Sequence, residues 1–165
     1  MFAAESMKIA ITGANGLLAK GLARVFGERH SVVAFTHADC DITDLERVRK
    51  VLAQNEAQAV IHPAAIPDLD ICEADPARAF RVNVEGTWNV VEAAREIGAS
   101  IAYISTDAVF DGEKRTPYTE SDLAHPPTVY GKTKLQAEKS VRALEKHFIF
   151  RIPVLFGPEI GRAHV

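Results

Sequence analysis

Two stretches of the sequence hold side chains whose types and spacing could do chemistry. The first is Ser105-Thr106-Asp107-Ala108-Val109-Phe110-Asp111-Gly112, and the second is Tyr130-Gly131-Lys132-Thr133-Lys134. The first leaves an apolar run, Ile101-Ala102-Tyr103-Ile104, that reads as a β-strand. Its hydroxyls and carboxylate therefore stand at a strand's carboxyl end, the edge where open α/β sheets bind ligands. In the second stretch Tyr130 and Lys134 lie four residues apart, one turn from each other on a single helix face. An ammonium beside a phenol makes the ionised phenol less costly, which is what a proton-donating tyrosine needs. The same spacing also occurs on ordinary solvated helix faces, so the pair gains meaning only downstream of a nucleotide-binding fold.

The elements that would position these groups can be read in chain order. Lys8–Thr12 is a short β-branched run and reads as a buried strand. Gly13-Ala14-Asn15-Gly16-Leu17-Leu18-Ala19 follows at once and opens an apolar-periodic helix to about Gly27. Glycines after a strand allow a sharp turn and close approach to a pyrophosphate, which the helix N-terminus stabilises. The spacing is G-x-x-G-x-x-A rather than G-x-G-x-x-G; its place between a strand and a helix carries the signal.

Val32–Thr36 reads as the second strand. A carboxylate closing it would bind an adenosine ribose and favour NAD, yet the end is Thr36-His37, with Asp39 the next acid. No arginine stands there for a 2′-phosphate either, so the preference is open, with a lean toward NADP or dual use because an acid in that place would repel the phosphate. Asp41-Ile42-Thr43-Asp44 leads into a helix through Asn55, with Thr43 or Asp44 as N-cap. Ala59–His62 is a third strand, and its exit, Pro63-Ala64-Ala65, is small enough to lie against a cofactor. Asp68, Asp70, Glu73 and Asp75 fit no calcium loop and read as macrodipole complements.

One long helix is expected from about Pro76 to Ile97. Asn83 lies inside it, either exposed or acting as a strut for the catalytic loop. After strand Ile101–Ser105, residues 106–129 show no periodicity, and a loop that long usually carries function. Helix Tyr130–Lys146 and strand Phe148–Ile152 complete a βα alternation. The expected fold is α/β, a doubly wound parallel sheet of the NAD(P)-binding Rossmann type in the order 3-2-1-4-5.

Composition narrows the function classes. The 165 residues are 47% hydrophobic and 25% charged with net charge −3, which describes one domain with a real core. Slight acidity and the lack of a basic run argue against nucleic acid or a membrane surface as partner. No apolar run nears the roughly 20 residues that span a bilayer. Cys40 and Cys72 form no metal or redox spacing and read as buried thiols of a cytoplasmic protein. The six histidines are scattered, and no metal site is expected.

With these residues in place, the chain resembles the extended short-chain dehydrogenase/reductase superfamily, and within it the dTDP-4-dehydrorhamnose reductase family of dTDP-rhamnose biosynthesis. The likeness runs from Met7 to Gly157 and is most specific at Ser105–Gly112 and Tyr130–Lys134, where the family reads S-T-D-x-V-F-D-G and Y-G-K-[ST]-K. The resemblance implies an NADP- or NAD-dependent oxidoreductase acting on a nucleotide-linked 4-keto-6-deoxy sugar. It implies Thr106, Tyr130 and Lys134 as the catalytic triad, with Thr106 and Asp107 at the substrate. Tyr130 would protonate the C4 ketone, while Lys134 would hold the nicotinamide ribose and lower the Tyr130 pKa. Gly13, Asn15, Gly16, Leu17 and Leu18 would form the pyrophosphate turn. Thr36, Asp41 and Ile42 would stand at the adenosine, and Ala64 and Ala65 under the ribose.

Three departures bear on the sugar. Ala108 replaces a frequent Tyr, His62-Pro63 stands where Asn-Ala is usual, and Arg151-Ile152-Pro153-Val154 lacks an aromatic. Arg151–Gly157 looks more like the regulatory subunit of methionine adenosyltransferase, a non-catalytic NADP-binding relative. Nucleotide-sugar epimerases and dehydratases form a further alternative, although they usually show a different stretch after the fourth strand. Three units are expected: a leader over residues 1–6, the Rossmann domain over 7–158, and a non-native tail over 159–165 that resembles a translated sequencing adapter. The substrate lobe that family members carry after the fifth strand is expected to be missing. An apolar edge at Phe148-Ile149-Phe150 then invites self-association.

Overall fold

The structure is a computed structural model and describes residues 5–155. Five parallel strands form one sheet: β1 (Lys8–Thr12), β2 (Ser31–Phe35), β3 (Ala59–His62), β4 (Ser100–Thr106) and β5 (His147–Ile152). Between them run α1 (Leu17–Gly27), α2 (Leu45–Gln54), α3 (Leu69–Ala74), α4 (Pro76–Phe80), α5 (Gly86–Glu96) and α6 (Val129–Arg142). Parallel neighbours cannot be joined by tight turns, so the crossovers are helical and cover both faces. On one face Ile9, Ile11 and Ile61 pack with Ala19, Leu22 and Phe26 of α1. On the other, Ala10, Val60, Ile101 and Tyr103 pack under α2, α5 and α6. The expected doubly wound α/β fold is the one observed.

The strand order is β2-β1-β3-β4-β5, which corrects the expected 3-2-1-4-5. Only a short turn segment separates β2 from α2, so no further βα unit extends the sheet beyond β2. α2 instead crosses to the face opposite α1 and delivers β3 to the free side of β1, where Ile9, Ala10 and Ile11 pair with Ala59, Val60 and Ile61. That reversal places the topological switch point between β1 and β3.

The expected helix from Pro76 to Ile97 also differs. It divides into α4 and α5, and between them Arg81–Glu85 widens to π-helical bonding. There the Thr87 hydroxyl donates to the Asn83 carbonyl at 2.7 Å, taking the acceptor that Thr87's own N–H would use in an α-helix. The acidic stretch before it forms α3. Asp68 and Asp75 accept from the N–H groups of Ile71 and Arg78 and so cap α3 and α4. Asp44, rather than Thr43, caps α2. α6 ends at Arg142, four residues before the expected Lys146.

β5 closes the described sheet on one side, with Phe148 and Phe150 62% and 49% exposed. Cys40 and Cys72 are buried free thiols. No helix among the described residues is long and apolar enough to cross a membrane. The expected tail over 159–165, and the first four residues of the expected leader, lie outside the described residues.

Candidate active site

The switch point opens a crevice at the carboxyl ends of β1 and β3. Gly13 turns the chain out of β1 with φ at 67°, a region that L side chains avoid. A Cβ there would also stand 3.0 Å from the Ala64 Cα, so only glycine lets the β3 exit come this close. The Gly16 N–H donates to the Gly13 carbonyl at 2.8 Å and closes the turn. α1 then starts with no side-chain cap and no acidic residue in its first turn. Its first N–H groups are left for an anion, which the helix dipole also favours.

Gly13, Asn15, Gly16, Leu17 and Leu18 line one wall of a cleft of about 600 Å³, and Ile42, Ala64 and Ala65 line the other. Thr36 and Asp41, also expected here, do not line it. The Thr36 N–H and hydroxyl both donate to the Asp39 carboxylate, at 2.9 and 2.6 Å. The hydroxyl bond, then the backbone bond, hold that carboxyl below its ordinary pKa. Asp41 accepts from the N–H and hydroxyl of Thr43 at 2.9 and 2.8 Å. Burial would raise its pKa, but those bonds outweigh burial and lower it. Both acids near the end of β2 are thus engaged in local turns. In their place His37, Cys40 and Arg78 border the cleft. Arg78 arrives from α4, so no reading of the β2 end could have found it.

A second cleft of about 370 Å³ shares Pro63, Ala65 and Ile104 with the first and is continuous with it. It lies at the carboxyl ends of β4 and β5 and gathers Thr106, Asp107, Tyr130 and Lys134. Thr106 ends β4, accepts from the Ala108 N–H at 3.1 Å and donates to Asp107 at 3.3 Å. α6 brings the phenol and the ammonium. Thr128 caps it by accepting from the Gly131 N–H, and Glu73 of α3 accepts from the Val129 N–H at 2.7 Å. Gly131 decides how close α6 comes to the Thr106 turn, because a Cβ there would sit 2.3 Å from the Ala108 carbonyl oxygen.

Lys134 lies on the same face of α6 as Tyr130 and is deeply buried. Its side chain runs inward until the ammonium lies 4.2 Å from the centroid of the Tyr103 ring. The residue is 2% exposed, and its ammonium makes no hydrogen bond to any described residue. Burial lowers its pKa to about 7, opposed by the charge of Glu138. Tyr130 is correspondingly not made more acidic. Burial raises its pKa, and the Thr106 side chain offsets only part of that rise.

Behind the clefts lies a polar chain that sequence reading missed. The Thr87 hydroxyl donates to the Asn83 carbonyl, so it must accept from His62 Nε2–H, 3.1 Å away. His62 Nδ1 then accepts from the Thr12 hydroxyl at 2.7 Å, and Thr12 Oγ1 accepts in turn from the Ala64 N–H at 3.4 Å. That order requires neutral imidazole, and burial together with the Lys134 charge lowers the His62 pKa to about 3. Asn83, 1% exposed, is the strut rather than a surface residue. Its amide pairs with both the N–H and the carbonyl of Ile66 and reaches Thr133, whose hydroxyl donates to the Tyr130 carbonyl. The β3 exit loop and the α6 N-terminus are therefore braced by one side chain. Among the described residues no group of three or more His, Cys, Asp or Glu is gathered as metal ligands would be.

A parallel sheet with a glycine turn opening its first helix at the switch point is a Rossmann-type α/β domain. Residues 7–164 match the family described as "RmlD substrate binding domain", and the chain belongs to that family. It is 35% identical over 153 residues to a dTDP-4-dehydrorhamnose reductase of Aggregatibacter actinomycetemcomitans, covering 91% of this chain and 52% of that protein. It is 37% identical over 163 residues to methionine adenosyltransferase 2 subunit beta of Rattus norvegicus, covering 92% and 48%. The crystal structure of a dTDP-4-dehydrorhamnose reductase from Bacillus anthracis in complex with NADP superposes with a TM-score of 0.91 at 34% identity, covering 96% of this chain and 57% of that one. The chain spans about half the length of the curated relatives it matches.

Proposed function

We propose that this chain carries the nicotinamide-nucleotide site and the proton donor of a reductase acting on a nucleotide-linked 4-keto-6-deoxy sugar, as in dTDP-4-dehydrorhamnose reductase. The observation that carries this reading is Lys134. Lys134 is 2% exposed with no hydrogen-bond partner for its nitrogen among the described residues, and it borders the cleft that continues from the glycine turn. Vicinal hydroxyls of a nicotinamide ribose supply the acceptors it lacks. The glycine turn and the uncapped α1 N-terminus hold the pyrophosphate, and Ala64 and Ala65 leave room for the sugar.

When bound, the cofactor supplies the hydride. Tyr130 gives its phenolic proton to the ketone oxygen, and burial keeps it protonated beforehand. Thr106 holds the same oxygen from the end of β4, with Asp107 beside it toward the substrate. Arg78 and His37 border the dinucleotide cleft where both nearby carboxylates are already engaged, which supports NADP over NAD. The exposed Phe148 and Phe150 of β5 support self-association of the chain, which size-exclusion chromatography reads directly.

Calorimetry on the folded chain tests the cofactor half. NADPH should bind, with NADH within about tenfold, a gap near 1.4 kcal/mol. Binding of neither nucleotide would overturn it. In a protein that also has the remaining half of the relatives' length, Tyr130→Phe should lower turnover by about 10²–10⁴ while NADPH affinity stays unchanged. Full 4-keto-sugar reduction by that variant would remove Tyr130 as the proton donor, whereas NADPH binding without any turnover in the unmutated protein would favour the second reading, an NADP-binding regulatory subunit. The likeness to the rat methionine adenosyltransferase subunit supports that alternative. The joint presence of Thr106, Tyr130 and Lys134 in one cleft favours the reductase.

A further inference from the structure

Glu138 follows Tyr130 by about two turns of α6 and is sealed from solvent. Its Oε1 accepts from Ser105 Oγ at 2.6 Å and Arg151 Nε at 2.9 Å, and its Oε2 accepts from Arg151 Nη2 at 2.8 Å and Arg142 Nη2 at 2.7 Å. Four donors thus fill both oxygens, as an ionised carboxylate allows. Burial would raise its pKa, but the bonds from Arg151, Ser105 and Arg142 outweigh burial and lower it. Ser105 and Arg151 are partners across the β4–β5 register, one step before Thr106 and Ile152. Among the described residues, Glu138 makes every hydrogen bond that joins α6 to the sheet. Around it Ala137 and Val141 pack with Ile101 and Tyr103. Apolar contacts are non-directional, so they press a helix on a sheet without fixing how far along it lies. A filled carboxylate does fix it, because sliding would strand buried donors and acceptors. Buried ion clusters add little stability compared with apolar packing, and setting register is their best-attested use.

We propose that Glu138 is a positioning residue: by tying α6 to Ser105 and Arg151 it sets where the helix stands along β4, and so how Tyr130 meets Thr106. Both of those side chains line the second cleft. Little slack exists where they meet. Gly131 abuts the turn after Thr106 so closely that a Cβ would stand 2.3 Å from the Ala108 carbonyl oxygen. The Ala108 N–H in turn donates to Thr106 Oγ1 at 3.1 Å. A shift of α6 along the sheet is therefore passed to the turn that carries Thr106. The consequence for proton transfer rests on the reading of Tyr130 given above, but the placement itself can be measured without cofactor or substrate.

The measurement is the nuclear Overhauser effect between the Thr106 methyl group and the Tyr130 ring protons in the tyrosine-labelled chain. The two resonances are assigned by their loss in Thr106→Ser and Tyr130→Phe. Ser105→Ala removes one bond and no charge, and it should weaken the effect severalfold while circular dichroism shows a folded chain. Glu138→Gln should weaken it further, because an amide turns its own donors toward the arginines. Arg142→Gln is the control. Arg142 lies on α6 itself, so its loss weakens the same cluster but loosens no tie to the sheet, and the effect should keep its wild-type strength. A purely structural role predicts lower stability in all three variants and an unchanged Thr106–Tyr130 contact in each. That outcome, equal weakening in Arg142→Gln, or no effect in the wild type overturns the proposal. If Glu138→Gln does not fold, Ser105→Ala decides alone. Failure of the wild-type chain to bind NADPH would remove the proposed function and leave these contacts standing.

Discussion

Burying Lys134 should make the folded chain more stable as the pH rises from 7 to 9. The folded pKa is about 7, against 10.5 for an unperturbed lysine. Below pH 7 both folded and unfolded chains hold the proton, and this group adds no slope. Between the two values the unfolded chain keeps a proton that the folded chain has released. Stability then rises, by roughly 2 kcal/mol from pH 7 to 9. The flanking windows belong to other groups. His62, lowered from 6.5 to about 3, contributes a rise that is complete by about pH 6.5. Cys40, raised from 9.0 to about 11, stays protonated in the fold while the unfolded thiol ionises, so above pH 9 its falling contribution offsets the Lys134 rise and stability levels off. Urea unfolding followed by circular dichroism at pH 7, 8 and 9 reads the Lys134 window. With a slope near ~2 kcal/mol per molar, the wild-type midpoint should climb by about 1 M. Lys134→Met fills the same space without a titrating group and should flatten the climb. A wild-type midpoint that is flat or falling, or an equal slope in Lys134→Met, would refute the reasoning.

Two further substitutions test the scaffold. Gly131→Ala puts a Cβ 2.3 Å from the Ala108 carbonyl, well inside the 3.0 Å that real contacts respect, so α6 must retreat from the Thr106 turn. It should lose about 1–3 kcal/mol of stability, and Tyr130-dependent turnover should drop by about 10²-fold; a stabilised variant, as helix propensity alone would give, would contradict this packing. Asn83→Ala strands the N–H and carbonyl of Ile66 and should cost about 2–4 kcal/mol. Hydrogen exchange at the Ile66 amide should quicken in that variant, and unchanged protection there would show that the strut carries no load.

Much of the fold was legible because parallel strands are short apolar runs and their crossovers are periodic helices. The strand order was not legible, since whether β3 pairs beside β1 or β2 depends on a long-range crossover that local pattern does not encode. The missing βα unit after β2 was the available signal: no further helix or strand lies between β2, ending at Phe35, and α2, starting at Leu45. The glycine turn, the Thr106 stretch and the Tyr130–Lys134 pair could be found because each is local. Arg78, His62 and Glu138 could not, because each matters through partners dozens of residues away or on another element. The depth to which Lys134 is buried was not legible for a related reason. A four-residue spacing fixes the helix face, but the reach of a long side chain depends on what lies beneath, here the Tyr103 ring.

The widened turn at Arg81–Glu85 changes how the surrounding helix responds to length. A π turn holds one surplus residue, so the helix on either side of it is out of phase with an uninterrupted α-helix by about 100°. Its amino half can therefore aim Asn83 at the Ile66 loop while its carboxyl half independently aims Val90 and Val91 into the core. Loss of a single codon within 81–85 would restore an ordinary helix and rotate one half against the other. Such an indel acts as a dial on the orientation of the β3 exit loop, in a segment where a point substitution would change only one contact.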